Sequence, residues 1–281
     1  MVQSLVAGHF HIRLKLEKFM RQRIILVCWL LLFTLLTAGQ SLAWAEETQS
    51  PQMSAVVAEI GRIGKAAKGT AGVAAIHLET GRKIAHNADE FFPMASTVKV
   101  AVAAKILDLA DKGQISLTSR IPVKRSELAP GGPLGDIHWR HGLSFSAADL
   151  LAKAYRANPA YDADPRDQAT PSAMLGLLCK IWPEDGVSRS ARSMLLPMME
   201  RSATGLKGIR GRLPVGTIVA DKTGTLAGTV NDVGFITLPD GKGHIAIVVF
   251  VKGSEAPSDT QEAAIVDIAR LVYDYYLISA Q

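Results

Sequence analysis

The segment Phe92-Pro93-Met94-Ala95-Ser96-Thr97-Val98-Lys99-Val100-Ala101-Val102-Ala103-Ala104 limits the possible folds of this chain more than any other. From Ser96 onward the run is apolar almost all round through Ile106, Leu107 and Leu109, which predicts a helix buried in a core. Ser96 and Lys99, at i and i+3, share one side of its first turn. Desolvation disfavours a charged amine, so a lysine at that place loses its proton more readily than one in water. A partly neutral lysine beside a hydroxyl can take the serine proton, which makes Ser96 a candidate nucleophile. The helix start adds N–H groups and the positive dipole end for a developing oxyanion. The bland alternative is an ordinary capping serine, since Ser is a common N-cap.

A second motif lies 126 residues beyond Ser96, where Asp221-Lys222-Thr223-Gly224-Thr225 follows the apolar run Thr217-Ile218-Val219-Ala220. That run predicts a strand. Lys222 supplies charge, Thr223 a hydrogen bond, and Gly224 lets a ligand approach the backbone. The set suits a substrate carboxylate. Taken singly it is equally a strand-to-turn junction.

The rest of the chain supplies a scaffold for both motifs. Ser54 to Ala67 reads as an amphipathic helix with Val57, Ile60 and Ile63 on one face. Gly72 to Leu78 and Lys83 to Ala85 read as a hairpin turning at Thr80-Gly81. Pro122 to Trp139, with Pro130-Gly131-Gly132-Pro133, reads as loop. Thr170-Pro171 opens another helix, and Ser188 to Ser202 is helical, with Met194, Leu195, Met198 and Met199 expected in the core. Asn231 to Leu238 and His244 to Val251 are strands, joined at Pro239-Asp240-Gly241, and Ser258 to Leu277 is a closing helix. The expected fold class is α+β, an α/β/α sandwich with helices packed on both faces of an antiparallel sheet.

Residues 1–45 read as an upstream extension and export signal, with the true start at Met20. Arg21 and Arg23 form a basic region, Ile24 to Leu36 an apolar core, and Ala43-Trp44-Ala45 a cleavage site. The expected mature chain, residues 46–281, is periplasmic or secreted. The formal charge of +5 is mostly signal: residues 1–45 hold five Lys/Arg and one acid, which leaves +1 for the rest. That balance argues against nucleic acid or a membrane surface as partners. Cys179 is the one cysteine after Cys28 of the signal, so no intramolecular disulfide is expected, and its apolar neighbours suggest a structural thiol. No histidine pair at metal-ligand spacing and no phosphate-cradling glycine loop occurs, so neither metal nor cofactor is expected.

The conjunction of a helix-start S-x-x-K with a strand-borne K-T-G resembles the class A serine β-lactamases and their penicillin-binding relatives. Leu143 to Leu151 is similar to that family's helix that runs into S-D-N, and Asp164-Pro165-Arg166-Asp167-Gln168-Ala169-Thr170-Pro171 to the end of its Ω-loop. The resemblance implies a β-lactamase-like fold with Ser96 as nucleophile and Lys99 as base. It further implies an oxyanion hole of the Ser96 and Thr225 N–H groups, and a carboxylate site at Lys222, Thr223 and Gly224. The implied partner is a small-molecule β-lactam, and the protein is expected to be a monomer. Neither S-D-N nor any S-x-N occurs in the chain, and the Ω-loop glutamate lies in the same missing block. The resemblance therefore implies a shortened helical subdomain and impaired deacylation. A penicillin-binding or D,D-peptidase-like protein and a non-catalytic remnant remain open on these residues. Trp139 at the cleft mouth, as against core or loop packing, and Arg210 or Arg212 against a carboxylate, as against ordinary surface charges, are further candidates.

Overall fold

The computed structural model describes residues 50–122, 144–146, 167–183, 187–202 and 205–279. The expectations for residues 1–49, for Trp139 and for most of the span between Leu143 and Arg166 lie outside these. Helix α1 (Pro51–Ala66) is followed by strands β1 (Thr70–His77), β2 (Lys83–His86) and β3 (Phe92–Pro93), a 3₁₀ turn (Ala95–Thr97) and α2 (Val98–Asp111). Short strands β4 (Arg120–Pro122), β5 (Ser144–Ser146) and β6 (Gln168–Ala169) precede α3 (Pro171–Ile181) and α4 (Arg189–Glu200). Strands β7 (Val219–Leu226), β8 (Thr229–Thr237) and β9 (His244–Lys252) and helix α5 (Ser258–Ser279) complete the order.

Helix starts are fixed by side chains that satisfy otherwise unpaired N–H groups. Ser50 Oγ accepts from Met53 N, Thr170 Oγ1 from Ala173 N and Ser188 Oγ from Ala191 N. In α1 and α3 a proline stands at the helix start, where its missing N–H costs nothing. α1 therefore begins at Pro51, earlier than the apolar period suggests, and it buries Val56 with Ile60 and Ile63 while Val57 lies at the margin.

The five-stranded antiparallel sheet has the order β2-β1-β9-β8-β7. One face packs on α1 and α5, through Val219, Val230, Ile236, Ile247 and Val249 against Ile60, Ile265 and Val272. The other carries Ala220, Val233, Phe235, Val248 and Phe250 against α2, α3 and α4. Strands covered on both faces need apolar residues at every position, which explains the unbroken run Ile245 to Val251. Two core layers on one sheet give the expected sandwich.

Three expectations change. Ser144–Ser146, expected within a helix, is strand β5 and pairs antiparallel with β4. Helix α2 is not buried all round: Val100, Ala103, Ala104 and Leu107 are buried, whereas Val102 is 46% exposed. Met194 likewise faces out of α4 at 40% exposure. Apolar letters alone do not distinguish a core face from an exposed one when small residues populate both.

Gly234 is a close-approach point between β7 and β8. A Cβ there would overlap the Ala220 carbonyl oxygen and lie 2.8 Å from Asp221 Cα, both backbone atoms. Gly234→Ala is expected to destabilise by about 3 kcal/mol through overpacking. Gly176 in α3, with open space around its would-be Cβ, is expected to gain about 0.5–1 kcal/mol as Ala. Urea unfolding of the two variants checks both signs.

Candidate active site

The chain between β3 and α2 is held on two flanks. β3 pairs with β6, and Met94 N donates to Asp167 O at 2.8 Å. From the sheet, Asn231 Nδ2 of β8 donates to Pro93 O at 2.6 Å and to Met94 O at 3.2 Å. The Thr97 hydroxyl also donates to Met94 O, at 2.6 Å. Ala95 stands at φ +48°, in the left-handed region, where an L-residue with a Cβ costs roughly 1–2 kcal/mol. Ser96 follows directly and lies in the 3₁₀ turn, not in the helix proper. Lys99 lies in the first turn of α2.

Strand β7 closes on this turn at Gly224. A Cβ on Gly224 would lie 2.9 Å from Met94 O and 3.0 Å from Ser96 N. The glycine lets the backbones of the two motifs meet, so Ser96 and the Lys222-Thr223-Gly224 strand occupy one place. Period-2 alternation puts Ala220, Lys222 and Gly224 on the sheet face that packs on α2, and Asp221 and Thr223 on the opposite face. Thr225, at the strand's far end, is exposed.

The electrostatics follow from burial and from this meeting. Desolvation, and secondarily the positive charge of Lys222, bring the Lys99 amine down to about 8. Lys222 is itself held below the usual lysine range by burial, while Asp232 and Asp221 pull it back up. Its ammonium donates to Thr223 O at 2.7 Å. Burial holds the Asp232 carboxyl well above the usual carboxylate range, with the Asp221 charge adding to the effect. Asp232 Oδ2 accepts from Ile209 N at 2.7 Å.

Arg210 corrects an expectation. Its guanidinium pairs with the buried Asp221 carboxylate and donates to the carbonyls of Met199 and Val219. These bonds tie α4 to β7, so Arg210 is a structural cation and not a carboxylate receptor. Arg212 pairs with Asp267 on the surface. Cys179 is half-buried, and burial pushes its thiol up, which fits the structural role. Sequence reasoning missed Asn231 as part of the site. Its signal was the pair Asn231-Asp232 inside an apolar strand, since buried polar groups in such strands have specific partners.

The arrangement therefore offers a half-buried hydroxyl, a lysine with a depressed pKa three residues on, and a second lysine on the adjoining strand. The sequence profile described as Beta-lactamase enzyme family matches residues 55–158 and 153–276. The chain belongs to the class A β-lactamase family. Among relatives of this family member, β-lactamase VEB-1 of Pseudomonas aeruginosa is 28% identical over 255 residues, covering 73% of this chain and 85% of the relative. β-Lactamase CTX-M-25 of Escherichia coli is 26% identical over 279 residues, covering 85% and 96%. The solved structure of an ancestral class A β-lactamase superposes with a TM-score of 0.71 at 28% identity, over 78% of this chain and 99% of that one. Among the described residues of this β-lactamase-family chain, no helix is long and apolar enough to cross a membrane.

Proposed function

We propose that this protein is an exported serine hydrolase that opens β-lactam rings through an acyl-enzyme on Ser96, and that residues 46–281 form its catalytic domain. The approach of Gly224 to within contact of Ser96 N carries the reading, because it brings the nucleophile motif and the carboxylate motif together. Lys99, with its pKa near 8, takes the Ser96 proton as the hydroxyl attacks the lactam carbonyl. The N–H groups of Ser96 and Thr225 receive the oxyanion. Lys222 binds the substrate carboxylate from the sheet face that meets Ser96; Thr223, expected to share the role, has its side chain on the opposite face. The lactam C–N bond breaks and the nitrogen takes a proton, which leaves an ester on Ser96. Hydrolysis of that ester is the impaired step, since the chain lacks the Ω-loop glutamate that the family resemblance associates with it.

Intact-protein mass after exposure to benzylpenicillin tests the reading. An adduct in the wild type that is absent from Ser96→Ala supports it, and an unmodified wild type that also leaves benzylpenicillin intact overturns it. The rate of adduct formation is expected to rise with pH through about 8, as Lys99 loses its proton. Stability changes in the same direction, so the folded fraction must be measured at each pH. Between the folded value and the usual lysine pKa the unfolded chain binds more protons, so Lys99 makes stability rise with pH in the same window. Stopped-flow acylation from pH 6 to 10 checks the limb.

A further inference from the structure

The Pro93 and Met94 carbonyls converge on the side-chain amide of Asn231. It is fully buried, at 0% exposure, and its Nδ2 reaches both, at 2.6 and 3.2 Å. Only the amide nitrogen can face them, because two carbonyl oxygens need a donor. Asn231 is directly opposite Gly224 in the β7–β8 register. The residue that grips the turn and the residue that lets it close are thus cross-strand partners. Between them sits Ala95, strained at φ +48°. Such strain persists only where the surroundings over-determine it. Here the surroundings are Asn231 on one flank and the Asp167 carbonyl on the other.

We infer that Asn231 is a positioning residue for the oxyanion hole, a reading that rests on the function proposed above. The two N–H groups of that hole come from different elements: Ser96 from the strained turn and Thr225 from the end of β7. They can aim at one oxygen only if the turn is fixed against the sheet. The Asn231 amide provides this fixing from the strand next to β7, through its bonds to Pro93 O and Met94 O. Without it, Ala95 relaxes toward a right-handed conformation and the Ser96 N–H swings off the oxyanion.

The test compares Asn231→Ala with the near-isosteric pair Asn231→Thr and Asn231→Val, of which only Thr keeps a donor. Acylation of Asn231→Ala by benzylpenicillin is expected to slow about 10²-fold, the scale of an ångström-level misplacement. Affinity for phenylboronic acid, whose adduct oxygen occupies the oxyanion position, should fall in parallel. Affinity for hydrolysed benzylpenicillin, held at its carboxylate, should change less than twofold. If Asn231→Ala fails to fold, the Thr variant should still acylate about tenfold faster than the Val variant, one hydrogen bond's worth. Equal acylation by wild type and folded Asn231→Ala overturns the inference. So do parallel losses for boronate and product, or equal rates for Thr and Val. A wild type that reacts with neither penicillin nor boronate overturns the underlying function instead.

Discussion

Benzylpenicillin is expected to leave the protein acylated on Ser96 long after free drug is removed. Acylation needs a nucleophile, a nearby base and charge stabilisation, which the proposed mechanism takes from Ser96 in the turn at Ala95–Thr97, from Lys99 and from the β7 strand end. Deacylation needs a water held and activated by a carboxylate. Among acids near the shortened segment, Asp162 and Asp164 lie outside the described residues. Asp167 is buried, and its own carbonyl is committed to Met94 N. Loss of a positioned general base commonly costs about 10²–10⁴ in rate. Time-resolved intact mass should therefore show adduct accumulating to one per chain, with nitrocefin turnover slower by that factor than acylation. Turnover as fast as acylation, abolished by Ser96→Ala, would mean that one of these aspartates serves as the base. Asp167→Asn would then identify or eliminate the described one.

The second large effect is expected at Lys99. Replacing it by Ala should slow acylation by about 10²–10⁴, since the proposed base for the Ser96 proton is then gone. Lys99→Arg discriminates the role. Arginine keeps the positive charge but does not give up its proton in a protein. If Lys99 acted only as a cation, Arg would preserve much of the rate. As a base, Lys99 makes Arg nearly as defective as Ala, and both variants lose the acceleration near pH 8. Each must melt as the wild type does, because a half-buried guanidinium carries its own desolvation cost. A fully active Lys99→Arg would transfer the base to another group.

The strands around Ala74, Val233 and Val248 were legible as apolar runs, and the hairpin at Thr80-Gly81 as a turn, because period and turn chemistry are local. Helix starts at Thr170-Pro171 and Ser188 were legible for the same reason. α2 was legible as a helix, but its exposed face at Val102 was not, since exposure depends on what lies across from it. Ser144–Ser146 was misjudged as helical because so short a strand exists only through pairing with Arg120–Pro122.

For the site, the sequence by itself determined the candidate groups: Ser96 and Lys99 at i and i+3, and Lys222, Thr223 and Gly224 at a strand end. Spacing within one element suffices for that, since a helix turn or a strand pleat fixes neighbours without help from the rest of the chain. Only the tertiary structure decided that the two motifs meet at Gly224, that Lys222 bears on Lys99, that Arg210 is consumed by Asp221, and that Asn231 grips the turn before Ser96. Apart from Arg210 and Asp221, which are eleven positions apart, these are contacts between residues more than a hundred positions apart. They follow from sheet order and register, which no short stretch of the chain encodes.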